Sequence, residues 1–259
     1  MQLNLNADLG ESFGPWPMGD DQALLGIVNS ANVACGFHAG DPLVMQTTIQ
    51  TAHTNKTSLG AHPGFPDLQG FGRRMLHMPA VELQACVQYQ LAAMAGMCAA
   101  QGASMTHVKP HGAMNNMACE DAAMAQTIVK AVKEFDPSQI LLAPALSELA
   151  KAGSEAGLTV ALEIFADRTY ASSGSLAPRS QPGAVLDSSA DCIEHVRNMI
   201  KHSGLVTLEG QTLPTPFHSI CVHGDNAHSV STAQALAEAL AADGHELVSL
   251  PSMFDPAKK

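Results

Sequence analysis

The sequence has few aromatic residues. They make up only 4% of its 259 residues, and Trp16 is the single tryptophan. Sites for sugars or single-stranded nucleic acids use aromatic side chains as stacking platforms, so this scarcity disfavours both ligand classes. Positive charge is also scarce, with 13 lysines and arginines against 24 acidic residues and a formal net charge of −11. This balance repels phosphate backbones and anionic lipids, so we expect no nucleic acid or membrane partner, and a small molecule or another protein instead.

Patterns typical of membrane targeting, paired cysteines and nucleotide binding are also missing. The amino terminus has no basic, apolar signal segment and no later apolar run is long enough to span a bilayer, so the sequence predicts a soluble, cytoplasmic protein. The six cysteines include no Cys-x-x-Cys pair, and we expect them to be reduced and mostly buried. The dinucleotide fingerprint and the P-loop are both absent, so any nucleotide is held without a standard phosphate loop.

Strand-like and helix-like segments alternate along the chain without a linker-like break. The predicted strands lie near residues 3–8, 29–35, 57–61, 107–111, 139–143, 159–165, 218–223 and 246–250. The predicted helices lie near residues 20–28, 42–54, 79–100, 120–134, 189–202 and 229–242, with a further one that ends near 156. This alternation predicts one α/β domain over residues 1–259, a (β/α) barrel of seven or eight strands rather than an open doubly wound sheet.

Ionisable or polar residues beside a glycine follow almost every predicted strand. The carboxyl ends of barrel strands converge on one mouth, so we expect these residues to share one cavity. Those that we assign to the site are Asn6, Asp8, Glu11, His38, His62, Lys109, His111, Glu163, Asp167, Arg168, His223 and Asp225.

Two segments provide most of the evidence for a shared polar cavity. His107, Lys109 and His111 alternate along an extended segment, so their side chains share a face, although a lysine flanked by two surface histidines would give the same pattern. Glu163 lies within the apolar strand 160–165, where an unpaired carboxylate would cost several kcal/mol. We expect it to face the barrel interior and to pair with Lys109 or Arg168. A purely structural ion pair is the alternative.

Such a mouth suits hydrolysis of an unactivated carbonyl. Asp8 or Glu163 would take a proton from water, Lys109 or a histidine would stabilise the oxyanion, and a second histidine would protonate the leaving nitrogen. The residues assigned to catalysis are Asp8, Lys109, Glu163 and His111. A divalent metal on Asp8, His38 and His62 would do similar work, and sequence spacing does not decide between the two. The residues assigned to substrate binding are Asn6, Glu11, Asp167, Arg168, His223 and Asp225.

Five motifs in order resemble the LamB/YcsF lactam-utilisation family. They are Asn6–Glu11, Asn32–Asp41, Gly60–Gly64, Val108–Gly112 and Val222–Asp225. The resemblance implies a distorted TIM-like barrel of the glycoside hydrolase/deacetylase superfamily. It also implies cleavage of 5-oxoproline to L-glutamate coupled to ATP hydrolysis, with separate B and C subunits as partners.

Two other functions are compatible with the same residues. One is a metal-dependent deacetylase or amidohydrolase that acts on an N-acyl substrate. The other is a non-catalytic subunit that binds the lactam and transfers it. The sequence also leaves open which carboxylate is the base and whether the chain forms a homo-oligomer.

Overall fold

A closed parallel barrel forms the centre of the protein. The computed structural model describes residues 1–222 and 229–255. The barrel strands are β1 (Gln2–Leu9), β2 (Ser30–Ala34), β3 (Ser58–His62), β4 (Met105–Val108), β5 (Ile140–Pro144), β6 (Val160–Phe165) and β9 (Ser219–Val222). Each strand pairs in parallel with the next, and β9 pairs with β1 from Asn4↔Ser219 to Ala7↔Val222, which closes the barrel. The predicted barrel is confirmed, with seven strands in the closed ring.

Among residues 1–222 and 229–255, three short strands lie outside this ring. β10 (Glu246–Leu247) pairs with the first residues of β1 and corresponds to the last predicted strand. β7 (Gly204–Val206) and β8 (Thr212–Pro214) form an antiparallel hairpin that the sequence patterns did not predict. Both hairpin strands are three residues long, which is too short for an alternation of polar and apolar residues to be recognised.

Helices surround the barrel. In the described ranges they are α1 (Asp21–Leu25), α2 (Pro42–Asn55), α3 (Ala80–Ala100), α4 (Gly112–Glu120), α5 (Ala122–Phe135), α6 (Glu148–Glu155), α7 (Ser189–His202), α8 (Ser229–Ala242) and α9 (Leu250–Met253). None of them has the combination of length and hydrophobicity that a membrane span requires.

The helix predicted near 120–134 is confirmed as α5, whereas the helix α4 before it was not predicted. Asp121 ends α4 in an extended conformation, and its carboxylate accepts hydrogen bonds from the backbone amides of Ala123 and Met124, which caps α5. α4 begins immediately after the β4 loop, at Gly112, where no helix was predicted. The consequence for the site is that an additional helix begins at the barrel mouth.

The two faces of β1 have different surroundings. Leu3, Leu5 and Leu9 belong to the hydrophobic core of the described chain and are buried. Asn4 and Asn6 are also fully buried, and Asn4 donates to the Ser30 hydroxyl at 2.9 Å. Buried polar groups need such partners because an unpaired group costs about 1–3 kcal/mol. The barrel interior is therefore a hydrogen-bonded polar layer.

One glycine makes room for a ring inside the barrel. A Cβ atom at Gly60 of β3 would overlap the imidazole of His107 on the neighbouring strand β4. With that space available, His107 Nε2 lies 3.0 Å from Asn32 Oδ1 and His107 Nδ1 lies 2.9 Å from the Thr106 hydroxyl. The ring thus fits into the polar layer only because residue 60 has no side chain.

The six cysteines are free thiols, as predicted. Five of them are buried, and Cys119 is half-buried. Burial raises the pKa of the Cys35 thiol to about 12, so this group stays protonated at neutral pH.

Candidate active site

Lys109 lies at the centre of the polar cluster at the barrel mouth. Its Nζ atom is 3.0 Å from Asp8 Oδ1 and 2.9 Å from Glu163 Oε1, and it is 3.2 Å from Asn6 Oδ1. Burial alone would lower the pKa of Lys109, but the charges of Asp8 and Glu163 raise it well above its usual value. The amine is therefore a fixed positive charge.

The predicted pairing of Glu163 is confirmed for Lys109 and is wrong for Arg168. The Arg168 guanidinium instead donates to the backbone carbonyls of Ala177 and Ala184, at 2.7 and 3.3 Å. Glu163 Oε1 also accepts a hydrogen bond from Asn6 Nδ2 at 2.9 Å, whereas Oε2 has no hydrogen-bond partner among the described residues. One carboxylate oxygen is thus fixed by the barrel.

A second cluster, the histidine–glutamate quartet, lies beside Lys109. It consists of Glu11, His38, His62 and His111, all buried, and one possible ligand atom from each lies within 4.8 Å of the others. His38 Nε2 is 3.3 Å from Glu11 Oε1, and the rings of His38 and His111 stack with centroids 3.6 Å apart. These side chains come from the segments that follow β1, β2 and β4 and from the last residue of β3.

Backbone carbonyls fix two of the imidazole tautomers. His62 Nδ1 lies 2.7 Å from the Lys109 carbonyl and His111 Nε2 lies 2.8 Å from the Phe71 carbonyl, so both of these nitrogens must carry the proton. The remaining nitrogens, His62 Nε2 and His111 Nδ1, face each other at 3.0 Å. In neutral rings each of these two nitrogens carries a lone pair, and the two lone pairs repel each other. A cation between the nitrogens would relieve this repulsion.

The quartet fits a divalent metal. Burial, followed by the neighbouring His62, lowers the pKa of His111 to about 3, and burial lowers the pKa of His38 well below its usual value. The rings of His38 and His111 therefore stay neutral at neutral pH, as metal ligation requires. His38 Nδ1 is buried without a hydrogen-bond partner among the described residues. Three imidazoles and one carboxylate are a ligand set typical of zinc.

The predicted metal set was Asp8, His38 and His62; the quartet keeps the two histidines, leaves out Asp8 and adds Glu11 and His111. Asp8 Oδ2 lies 3.4 Å from His62 Nε2, but Asp8 Oδ1 pairs with Lys109 and Asp8 is outside the quartet. Glu11 and His111 complete the quartet instead. The sequence assigned Glu11 to substrate binding and His111 to catalysis. Sequence spacing could not identify them because each residue follows a different strand.

A cavity of about 320 Å³ opens over both clusters. Asp8, Glu11, His62, Lys109 and His111 line its floor, and the long loop that follows β6 contributes to its wall. This volume suits a ligand of metabolite size.

The other assigned residues lie in different places. Asn6 is fully buried beneath Lys109 and does not line the cavity, so it positions Lys109 and Glu163 rather than contacting a ligand. Arg168 lines the cavity, whereas Asp167 does not. His223 and Asp225 fall outside the described residues.

Asn32 is a part of the site that sequence reasoning missed. Its Nδ2 atom donates to Asn6 Oδ1 at 2.8 Å and to Asp8 Oδ1 at 2.9 Å. It thereby connects His107 to the carboxylate that pairs with Lys109. The polar residue at the centre of the β2 strand was the available signal, because Asn32 stands between Ala31 and Val33.

His107 gives the stability of the protein a pH dependence. Burial, followed by the charge of Lys109, lowers the pKa of His107 to about 3 from its ordinary value of 6.5. Between these values the unfolded chain binds a proton that the folded chain does not. The free energy of unfolding is therefore expected to fall as the pH drops through this range, by about 1.4 kcal/mol per pH unit from this group.

Urea unfolding at pH 7, 6, 5 and 4 measures this effect. His107→Gln is expected to have a shallower slope than the wild type, and the exposed His202→Gln provides the matched control. Identical slopes for His107→Gln and the wild type would contradict the assignment.

Sequence comparison identifies the family. The LamB/YcsF family model matches residues 3–255. The chain belongs to the LamB/YcsF family. A protein from Azoarcus sp. (strain BH72), named as the A subunit of 5-oxoprolinase, is 58% identical over 253 residues, which cover 98% of this chain and 99% of that protein.

Solved structures share the LamB/YcsF fold. The lactam utilization protein from Thermus thermophilus has a TM-score of 0.91 and 38% identity, with 96% of this chain and 100% of that chain covered. The catalytic domain of a peptidoglycan N-acetylglucosamine deacetylase from Eubacterium rectale ATCC 33656 has a TM-score of 0.52 and 11% identity, with 96% and 87% covered. The second likeness concerns the fold alone. It agrees with the barrel type that the motifs implied.

Proposed function

We propose that this chain is the A subunit of an ATP-dependent 5-oxoprolinase, which opens the lactam of 5-oxoproline to give L-glutamate. The observation that carries the proposal is the fixed ammonium of Lys109 beneath a cavity of about 320 Å³, in a chain 58% identical to a protein named as the A subunit of 5-oxoprolinase. Ring opening adds water to the lactam carbonyl, breaks the C–N bond and transfers a proton to the leaving nitrogen.

The floor of the cavity has groups suited to each part of this reaction. The Lys109 ammonium stabilises negative charge that develops on the carbonyl oxygen. Asp8 lines the cavity and is held by Lys109 and Asn32, so it is the better placed of the two carboxylates to accept a proton from water. Glu163 is more deeply buried and positions Lys109. The leaving nitrogen can take back the proton that Asp8 accepted from water. The sequence-based assignment of His111 as a catalytic group is not supported for a proton donor, because its pKa is lowered to about 3 and its Nε2 proton is bound to the Phe71 carbonyl.

The quartet adds a further possibility for activating the carbonyl. Glu11, His38, His62 and His111 would hold a divalent metal, which when bound supplies Lewis-acid polarisation of a carbonyl oxygen. His62 is oriented for ligation by the Lys109 carbonyl and His111 by the Phe71 carbonyl.

ATP is the co-substrate in this proposal. A five-membered lactam is a poor electrophile, and transfer of the γ-phosphoryl group of ATP to its oxygen, with release of ADP, would make the ring carbon electrophilic. Water would then add to that carbon and the C–N bond would break to leave an acyl phosphate, which a second water would hydrolyse to glutamate and phosphate. Because the chain has no standard phosphate loop, we assign much of the ATP handling to the B and C subunits. A cytoplasmic location agrees with the use of ATP and with the free thiols.

The test is release of glutamate from 5-oxoproline by the chain mixed with its B and C subunits, with and without ATP and with and without a chelator. We expect release only from the complete mixture with ATP. If the isolated chain matched the rate of the mixture, the division of labour would be wrong. If the complete mixture with ATP released no glutamate, the function would be wrong.

A metal-dependent amidohydrolase is the second candidate, and the quartet favours it. It predicts activity that a chelator abolishes and that ATP does not change. A subunit that only binds the lactam is distinguished by Asp8→Ala, which would then lower affinity, whereas in a catalytic subunit it would lower turnover while the lactam still binds.

A further inference from the structure

Three arginines meet at the cavity above the two clusters. Arg73 lies in the loop between β3 and α3, and Arg168 and Arg179 lie in the long loop after β6; all three line the cavity. With Lys109, the described residues of the lining include four cationic side chains against the three carboxylates of Asp8, Glu11 and Glu120. The whole chain has 13 cationic against 24 acidic residues, so positive charge is concentrated here.

Two arginines outside the cavity provide a contrast, because both are paired with carboxylates. Arg74 pairs with Asp67, and Arg197 forms two hydrogen bonds with Asp243, at 2.6 and 2.8 Å. Neither Arg168 nor Arg179 forms an ion pair with a carboxylate of the part of the chain that the structure describes. The charges of these two cavity residues remain available for a ligand.

Arg168 is held rigidly. It is only 6% exposed, and its guanidinium donates to the carbonyls of Ala177 and Ala184. Burial, followed by the like charge of Arg179, lowers the pKa of Arg168 to about 10. Two guanidinium groups that repel each other at the edge of a cavity are stabilised by an anion that binds between them. A carboxylate is well suited, because its two oxygens accept paired hydrogen bonds from the planar guanidinium group.

Arg73 links this region to the quartet. Its guanidinium carbon lies 5.0 Å from the centroid of the Phe71 ring, next to the carbonyl that binds His111. Its charge lowers the pKa of His111 and of Arg168, although burial is the larger cause for both, so it lies within electrostatic reach of each. An anion bound among the three arginines is therefore adjacent to the groups that face a lactam carbonyl.

We propose that Arg73, Arg168 and Arg179 form a carboxylate subsite, which binds the carboxylate of 5-oxoproline and directs the ring carbonyl toward Lys109 and the quartet. This inference rests on the proposed function and specifies how the substrate is oriented. The phosphoryl group of an activated lactam has similar oxyanion chemistry, and the experiment separates the two.

Calorimetric titration of the full chain tests the subsite with three ligands, namely 5-oxoproline, 2-pyrrolidinone and inorganic phosphate. 2-Pyrrolidinone is the same lactam ring without the carboxylate. Two variants, Arg179→Gln and Arg73→Gln, are at exposed positions. The third, Arg168→Lys, retains the positive charge but loses the paired hydrogen-bond donors of the guanidinium group. Arg197→Gln is the matched control, because Arg197 lies on α7 away from the cavity. Glutamate release by the chain with its B and C subunits is measured for the same variants.

We expect the wild type to prefer 5-oxoproline over 2-pyrrolidinone by about tenfold or more, and each cavity variant to lose most of that preference. KM should rise by a similar factor, and Arg197→Gln should match the wild type. Equal binding of the two lactams to the wild type, or an unchanged preference in the cavity variants, would overturn the inference.

The other outcomes are also decisive. If the cavity variants lost only phosphate binding, the arginines would serve the phosphoryl group and the carboxylate assignment would be wrong. If glutamate release persisted with an unchanged KM in every cavity variant, the inference would fail and the proposed function would stand. If the wild type bound neither lactam and released no glutamate, both would fail.

Discussion

Replacing Lys109 with methionine is expected to lower glutamate release by the reconstituted enzyme by about 1,000-fold, because the site loses its fixed positive charge. The methionine has a similar length but no charge, so the carboxylates of Asp8 and Glu163 are left close together without a cation. Removing one partner of a buried ion pair costs about 3–5 kcal/mol, and we expect a loss of stability of that order.

Two further variants separate the loss of activity from the loss of stability. Adding Glu163→Gln to Lys109→Met removes one of the uncompensated charges, so it is expected to recover much of the stability without restoring activity. Lys151→Met is the matched control, because Lys151 is 60% exposed and pairs with Glu148 on the surface of α6. Urea unfolding and glutamate release measure both effects. Near-normal turnover of Lys109→Met would exclude an electrostatic role for Lys109 in the reaction.

Zinc is expected to bind the histidine–glutamate quartet, and His62→Gln is expected to weaken that binding by at least about 100-fold. Mutation of groups that merely orient metal ligands costs about 10–100-fold in affinity, so loss of a ligand should cost more. Zinc at about 1,000 times its dissociation constant should raise the free energy of unfolding of the wild type by about 4 kcal/mol.

Calorimetric titration with Zn²⁺ and thermal unfolding with and without the metal measure these effects. His53→Gln is the matched control, because His53 is exposed on α2 and lies outside the quartet. Equal zinc affinity in His62→Gln and the wild type would place the metal elsewhere. The Asp8→Asn and Glu11→Gln variants compare the quartet with the metal ligands predicted from the sequence, which included Asp8. We expect Asp8→Asn to lower zinc affinity less than Glu11→Gln does.

Much of the fold follows from local sequence patterns. The alternation of Leu3, Leu5 and Ala7 with polar residues predicts β1. The apolar side chains pack in the hydrophobic core and the polar ones lie in the polar layer inside the barrel, so the alternation reflects the two faces of the strand. The start of α5 was predicted within two residues because an aspartate at a helix start is a local signal. The helix α4 was missed because it begins at Gly112, directly after the β4 loop and without a side-chain cap. The β7–β8 hairpin was missed because its pairing depends on tertiary contacts rather than on a local pattern.

Most residues of the candidate site could be predicted from the sequence, but their grouping into two clusters could not. The topology of the barrel brings strand ends together, so the proximity of Asp8, Lys109 and Glu163 could be expected from the order of the elements. The separation of the histidines into a quartet with Glu11 could not, because it depends on ring orientations set by the carbonyls of Lys109 and Phe71. The roles of Arg73 and Arg179 depend on the course of two loops, which carries no periodic signal.

The fit between Gly60 and the His107 ring has an evolutionary consequence. The ring of His107 occupies the volume that a side chain at residue 60 would need. A larger residue at position 60 is therefore acceptable only if position 107 becomes smaller in the same lineage, and a smaller residue at 107 alone leaves an empty space beside Asn32. Among relatives of this protein, we expect the two positions to change together or not at all.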